Sequence, residues 1–262
     1  MPDAERPAVA ALFGPTGVGK TSVAVTLAGL LRARGEAPVA ISADALQVYE
    51  GLETLTGAAT AAERAQLEHR LIGFVPVGEP FSVGDYMPLA HAEIDGLLAA
   101  GRRPIVVGGT GLYLRAALAD LSLEKAPPGE DSELWSGETR HATVVFGLTM
   151  ERSALYRRIE ARVDAIVAAG AEAEVRAADA AGASRTSRKA LGFDELLAGD
   201  VEALKKRTRN YARRQLTWMR KMPGVHTIDM TGRAPSEAAA EIAGVLVRLR
   251  CRSLPLGARA KT

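Results

Sequence analysis

Residues 8–21, Ala8-Val-Ala-Ala-Leu-Phe-Gly14-Pro-Thr-Gly-Val-Gly19-Lys20-Thr21, decide the fold. An apolar run is followed directly by the pattern G-x-x-x-x-G-K-[ST], and apolar residues at helical spacing come next: Val23, Leu27, Leu30 and Leu31. A strand, a glycine-rich loop and a helix in this order are typical of a phosphate-binding loop. The pattern therefore predicts a site for a diphosphate or a triphosphate, formed by loop amides and the helix N-terminus.

The loop contains the predicted phosphate contacts. Lys20 brings a mobile positive charge, and the Thr21 hydroxyl is an oxygen ligand suited to Mg²⁺. Such loops occur in nucleotide-binding proteins, ATP-binding ones among them, so the loop alone does not identify the molecule that carries the phosphates. The predicted contacts are Gly14, Pro15, Thr16, Gly17, Val18, Gly19, Lys20 and Thr21.

Apolar runs alternate with helical patterns along the chain. Further strands are predicted at residues 39–42, 71–75, 105–107 and 144–148, and helices at 84–100, at 151–181 as one long helix or a pair, and at 200–222. This alternation favours an α/β fold, a P-loop NTPase-like parallel sheet flanked by helices. We predict a core at residues 1–122 and 141–250, a short flexible insertion at 123–140, and a disordered tail at 251–262.

Composition excludes several classes of protein. The 33 Lys and Arg residues against 31 Asp and Glu leave a formal charge of +2, which gives no global sign of a nucleic-acid partner. A single cysteine, Cys251, excludes an internal disulfide framework, and the four histidines lack the spacing of metal ligands. The N-terminus lacks the pattern of a signal peptide, and no apolar window approaches the roughly 20 residues of a membrane span. We therefore expect a cytoplasmic protein without membrane contact.

Two further motifs follow predicted strands. Asp44 comes after residues 39–42 and is expected to face the phosphate loop, because ligands of an open α/β sheet bind at the carboxyl ends of strands. It can hold Mg²⁺ through water, act as a general base, or cap the following turn. Gly108-Gly109-Thr110 comes after residues 105–107. Its glycines either admit a ligand beside the Thr110 hydroxyl or form a tight turn.

A basic run occupies residues 205–221 and contains no acid. On a helix, its cations form a stripe beside Tyr211 and Trp218. Such a stripe can neutralise a leaving diphosphate, follow an RNA backbone, or be a solvated helix face. The residues of the stripe are Lys206, Arg209, Arg213 and Arg220.

Several separated motifs together resemble the tRNA dimethylallyltransferase family. In chain order they are GPTGVGKT, ISADALQVYEGLETLTG, HRLIG, PIVVGGTGLYL, FGLTMERSALYRRIEARVDAIVAAGAEAEV, KALGF and RRQLTWMRK, which cover most of residues 8–229. The resemblance implies transfer of a dimethylallyl group from dimethylallyl diphosphate to N6 of adenosine 37, next to the tRNA anticodon, with release of diphosphate.

The resemblance also implies roles for individual residues. The phosphate loop binds the allylic diphosphate, with Lys20 and Thr21 as catalytic groups and Thr21 as the Mg²⁺ ligand, and Asp44 is the general base. The residues expected to contact the anticodon stem-loop of tRNA are Asp44, Ala45, Leu46, Gln47, Thr110, Arg213, Arg214, Gln215 and Arg220. We expect a monomer.

The chain departs from the family pattern at two places. The interval at about residues 123–140 is short and lacks the helical segment that grips the anticodon stem-loop. The family's GYRQ-like segment is Gly192-Phe193-Asp194-Glu195 here, so the arginine is missing and Arg188 is the candidate substitute. The short insertion favours an alternative, an adenylate dimethylallyltransferase that uses AMP, ADP or ATP as acceptor. The phosphate loop alone also permits a small-molecule kinase.

Overall fold

Within residues 7–122, 134 and 136–252, which the computed structural model describes, six strands form one parallel sheet. They are β1 (Val9–Phe13), β2 (Pro38–Ser42), β3 (His69–Arg70), β4 (Arg103–Gly108), β5 (Thr143–Thr149) and β6 (His226–Asp229). Their order in the sheet is β3-β2-β4-β1-β5-β6. β1 is therefore a central strand, and it pairs in parallel with β4 and β5.

Helices connect the strands, as parallel pairing requires. They are α1 (Lys20–Arg32), α2 (Glu53–Thr56), α3 (Ala61–Gln66), α4 (Val83–Ala99), α5 (Gly111–Leu118), α6 (Arg152–Ala168), α7 (Ala171–Ala180), α8 (Phe193–Leu197), α9 (Val201–Lys221) and α10 (Pro235–Arg252). Local capping fixes several of their ends. Ser82 and Asp85 form a capping box at the start of α4, and the Asp200 carboxylate accepts a hydrogen bond from the Ala203 amide at the start of α9.

Side chains of β1 alternate between two apolar layers. Ala10 and Leu12 pack with α1 and α10 on one face of the sheet, whereas Ala11 and Phe13 pack with α4 and α5 on the other. This alternation follows from the two-residue period of a strand. A third apolar cluster lies among α2, α6, α7, α8 and the first turns of α9. The cleft described below lies between this third cluster and the sheet.

The α/β fold predicted from the sequence is confirmed, with some corrections. The predicted strand at residues 71–75 is wrong, because the strand is His69–Arg70 and Leu71 turns the chain with a φ of 59°. The segment 151–181 is a pair of helices, broken at Gly170 with a φ of 95°. β6 and α10 were not predicted.

The predicted domain boundaries stay a prediction. Most of the insertion at 123–140 lies outside the described residues, as do residues 253–262 of the predicted tail. α10 continues to Arg252, two residues into that tail. In the described part of the chain, no helix combines the length and the apolar character that crossing a membrane requires.

Candidate functional site

A cleft of about 400 Å³ lies at the carboxyl ends of β1, β2 and β4. The phosphate loop forms its floor, and residues of α6 and α9 form the facing wall. This is the edge at which an open α/β sheet binds its ligands. Lys20, Thr21, Asp44 and Gln47 all line the cleft, so the motifs predicted at two strand ends do meet in space.

The phosphate loop has the geometry of an anion site. Gly17 and Gly19 have φ angles of 82° and 102°, which side chains disfavour, and they turn the loop into the N-terminus of α1. Among the predicted contacts, Pro15 and Val18 are buried, and the Val18 side chain packs in the core. Any contact of Val18 with phosphate therefore runs through its backbone.

Lys20 is held against the loop that precedes it. Its Nζ donates to the carbonyl oxygens of Gly14 at 2.9 Å and Pro15 at 3.0 Å. Burial, together with the positive charge of Arg162, lowers the pKa of Lys20 to about 8, and the carboxylate of Asp44 partly opposes this shift. The ammonium is thus a cation that a bound anion would stabilise.

Arg162 on α6 is a functional residue that the sequence analysis missed. Its guanidinium lines the cleft, and Nη2 donates to the Thr56 carbonyl at 3.2 Å. Burial lowers the pKa of Arg162, with Asp44 and Glu63 opposing the shift, yet an arginine stays protonated in proteins. Arg162 therefore places a permanent positive charge beside the titratable charge of Lys20.

Close packing fixes the position of the Arg162 guanidinium. Gly57 has a φ of 59°, and a Cβ at this residue would lie 1.8 Å from Arg162 Nη2. The motif GLETLTG therefore ends in a glycine because the arginine occupies the space of a side chain. Arg158, one turn earlier on α6, is exposed at the rim of the cleft, with Nη2 about 3.3 Å from the Cβ position of Gly19.

A sequence signal for these two arginines was present. Arg158 and Arg162 are four residues apart, and each directly precedes an apolar residue at helical spacing, Ile159 and Val163. The candidate substitute arginine, Arg188, is a different case. It pairs with Asp179, stacks on the Phe193 ring at 5.1 Å, and is not among the residues that line the cleft. The structure thus favours Arg162 over Arg188.

Asp44 follows β2 and lines the same cleft as the phosphate loop. Its Oδ1 accepts a hydrogen bond from the Leu46 amide at 3.0 Å, as expected of a residue that caps a turn. Its charge also reaches Lys20, Arg162 and Tyr211, since it shifts the pKa of all three. Capping and a role at the site are therefore compatible.

The other expected acceptor contacts differ in position. Leu46 and Gln47 line the cleft, whereas Ala45 does not. Thr110 stands at the start of α5, where its hydroxyl lies 3.2 Å from the hydroxyl of Tyr211. Tyr211 itself lines the cleft, so Thr110 is connected to the cleft through the tyrosine hydroxyl.

Gln215 is not placed as a surface contact for RNA. Its side chain is 4% exposed, and its amide bonds to two loops of the protein, at Thr16 and Gly109. Gln215 also lines the cleft, so its contact with tRNA stays a prediction. Gln215 lies on the inner face of α9, one residue from the exposed Arg214.

The basic run divides into two sets of cations. Lys205, Arg207 and Arg209 form ion pairs with Asp164, Glu195 and Glu160, respectively, which come from α6 and α8. These three residues connect α9 to its neighbours. Arg209 thus does not belong to a free basic stripe, contrary to the sequence prediction.

The second set faces solvent. Lys206, Arg213 and Arg220 are exposed and seven residues apart, which places them on one face of α9. Arg213 donates to Asn210, and the guanidinium of Arg214 lies 5.6 Å from the centre of the Tyr211 ring. No ion pair found within the described ranges involves any of these four cations. This outer face therefore carries a net positive charge.

The residues beside the loop are compatible with Mg²⁺ when phosphate oxygens share in binding it. Thr21 lines the cleft and offers the hard oxygen that this ion prefers. Among residues that the structure describes, no group of three or more histidine, cysteine or acidic side chains could hold a metal. A protein-only metal site of that kind is therefore not part of the described chain.

Comparison with known proteins agrees with this geometry. A family model described as IPP transferase matches residues 47–141 and 129–222, and one described as Isopentenyl transferase matches residues 7–72. The tRNA dimethylallyltransferase of Geobacillus kaustophilus (strain HTA426) is 33% identical over 290 aligned positions, which cover 85% of this chain and 90% of the relative. That of Thermobifida fusca (strain YX) is 34% identical, covering 83% and 88%.

A solved structure has the same fold. The tRNA isopentenylpyrophosphate transferase of Bacillus halodurans superimposes with a TM-score of 0.80 at 30% identity, covering 93% of this chain and 96% of that one. The alignment with the Geobacillus protein has 290 positions, although this chain has 262 residues. The relative therefore contains residues that this chain lacks.

Because the pKa of Lys20 is about 8, we expect the affinity for inorganic pyrophosphate to fall as the pH rises from about 7 to about 9. Below the pKa the ammonium is charged and binds the anion. At a pH above this pKa, the affinity falls by up to about tenfold per pH unit, because Lys20 must take up a proton when the anion binds. Calorimetric titration with pyrophosphate and Mg²⁺ measures this dependence.

The matched control is Lys20→Arg, which keeps its charge over this range. Any pH dependence that remains in this variant comes from the ligand. Parallel curves for the wild type and Lys20→Arg would contradict the prediction.

Proposed function

Because the chain belongs to the tRNA dimethylallyltransferase family, we propose that it transfers a dimethylallyl group from dimethylallyl diphosphate to N6 of the adenosine next to the tRNA anticodon. One observation carries the proposal. A single cleft combines a cationic half, formed by the phosphate loop with Lys20 and by Arg162 of α6, with the carboxylate of Asp44. Prenyl transfer to an amine needs these two halves together.

The donor side stabilises the leaving group. As the bond between the allylic carbon and oxygen breaks, its electron pair moves to the diphosphate, where negative charge increases. Lys20 and Arg162 line the cleft together with the phosphate loop, are held by backbone carbonyl oxygens, and stabilise that charge. Apolar residues of the same cleft are suited to the dimethylallyl tail: Leu55, Val163, Ile166, Leu191 and Leu204.

The acceptor side activates the amine. The lone pair of an adenine amine is delocalised into the ring, so it is a weak nucleophile. Asp44 accepts the N6 proton as the new bond between nitrogen and carbon forms, which is general-base catalysis. Binding both substrates from opposite ends of one cleft also aligns the reacting atoms. The adenosine has to leave the anticodon stack to reach the carboxylate.

Mg²⁺ fits this arrangement. The Thr21 hydroxyl and the oxygens of the diphosphate would hold it. When bound, it supplies further positive charge to the leaving group.

The outer face of α9 is suited to the tRNA backbone. Its exposed cations, Lys206, Arg213, Arg214 and Arg220, have no acidic partner within the described ranges. The inner face of the same helix lines the cleft through Tyr211 and Gln215. RNA bound on the outer face would therefore lie close to the reaction site.

A free adenylate is the second candidate acceptor. The relatives align over more positions than this chain has residues, so part of their chain is missing here. The two matches of the IPP transferase family model overlap at residues 129–141, in the region of the predicted short insertion. A reduced RNA-binding segment is the one observation that favours AMP over tRNA.

Purified protein supplied with labelled dimethylallyl diphosphate, Mg²⁺ and either unmodified tRNA or AMP tests the function. We expect label on tRNA and little or none on AMP, because α9 offers cations to an RNA backbone. Label on AMP alone would make the chain an adenylate transferase. If the protein hydrolysed ATP in a parallel incubation and transferred no label to either acceptor, the kinase interpretation would be favoured and the proposal overturned.

Replacing Asp44 with alanine should lower kcat by about 10²–10⁴-fold while pyrophosphate still binds, because the base acts in the chemical step and not on the diphosphate. Single-turnover kinetics and pyrophosphate titration measure the two quantities. An equal loss of pyrophosphate affinity would instead identify Asp44 as part of the metal site.

Replacing Arg213 and Arg214 with alanine should weaken tRNA binding and reduce its salt dependence by about one slope unit for each phosphate that is no longer neutralised. Arg207→Ala is the matched control, since Arg207 lies on the same helix but is paired with Glu195. Filter binding across a salt series gives the slopes. Equal slopes for both variants would mean that the outer face does not contact RNA.

A further inference from the structure

Gln215 joins two loops that line the cleft and follow the neighbouring strands β1 and β4. Its Oε1 accepts a hydrogen bond from the Thr16 amide at 2.8 Å, and its Nε2 donates to the Gly109 carbonyl at 2.8 Å. Thr16 belongs to the phosphate loop, and Gly109 directly precedes Thr110. A single side chain therefore spans the distance between the donor loop and an acceptor loop.

The chemistry of these contacts requires an amide of this length. Only asparagine and glutamine side chains offer a carbonyl acceptor and an NH₂ donor at the same time. A methionine of similar size can make neither bond. An asparagine is one methylene shorter and cannot reach both loops at once.

Close packing leaves the acceptor loop little freedom to adjust. A Cβ at Gly109 would lie 2.3 Å from Gln215 Nε2, so the amide is packed against the loop backbone. A Cβ at Gly108 would in turn lie 2.3 Å from the carbonyl oxygen of Ala43, the residue before Asp44. The contacts thus run from Thr16 through Gln215 and the glycines to the strand end that carries Asp44.

We infer that Gln215 is a positioning residue that sets the separation between the diphosphate loop and the acceptor side of the cleft. The inference rests on the proposed function. Gln215 acts through the two loops that it joins, and these loops fix how the carbon bonded to the diphosphate faces the amine near Asp44. In such reactions, a misplacement of about 1 Å can cost about 10²-fold in rate.

The test compares Gln215→Met and Gln215→Asn with the wild type, using dimethylallyl diphosphate and tRNA. We expect kcat to fall by about 10- to 100-fold in both variants, with pyrophosphate affinity, the KM for tRNA and the salt slope of tRNA binding nearly unchanged. The exposed Gln66→Met is the matched control and should keep wild-type kinetics. Circular dichroism reports whether each variant is folded.

The other outcomes contradict the inference. A raised KM for tRNA with unchanged kcat would make Gln215 an RNA contact. An equal loss of pyrophosphate affinity and kcat, or loss of folding in both variants, would make it a general scaffold residue. Full activity of Gln215→Asn would mean that the length of the side chain joining Thr16 and Gly109 does not affect the reaction. A wild-type protein inactive on tRNA would reject the proposed function instead, so the two failures are distinguishable.

Discussion

Two positive charges held close together in a partly buried cleft are the constraint on which the site depends. Burial lowers the pKa of both Lys20 and Arg162, and the positive charge of Arg162 lowers that of Lys20 further. Carbonyl oxygens of the phosphate loop accept hydrogen bonds from Lys20, and the Thr56 carbonyl accepts one from Arg162. These acceptors hold the two cations in place, and the negative charge of Asp44 favours their charged forms, so the phosphate loop and α6 together determine where the two charges lie.

The sequence predicted the parts of the site that are local in the chain. The phosphate loop follows from a strand, a glycine pattern and a helix within 14 residues, and Asp44 follows from its place at a strand end. Arg162 and Gln215 could not be assigned in this way. Gln215 bonds to Thr16 across 199 residues of sequence, and only tertiary packing brings them together. β6 was missed because it is a short strand at the sheet edge, whereas the alanine-rich start of α10 favours a helix that the sequence could have predicted.

The basic run at residues 205–221 is a second case in which tertiary packing decides what the sequence alone could not predict. Its composition predicts a cationic helix, but the acids of α6 and α8 decide which cations remain available. Three cations connect α9 to the protein and five are exposed, and this partition depends on residues about 10 to 50 positions away in the chain. The same helix carries Gln215 on its inner face. α9 therefore connects the outer cationic surface with the loops of the cleft.

The close approach of Gly57 and Arg162 couples two positions over evolutionary time. Any side chain at residue 57 would occupy the volume of the guanidinium, and the left-handed backbone there adds a second penalty. If a small residue replaced the arginine, only the backbone penalty would remain. The two positions are thus expected to change together, because a side chain at residue 57 would force the guanidinium to move, although the two residues come from different motifs.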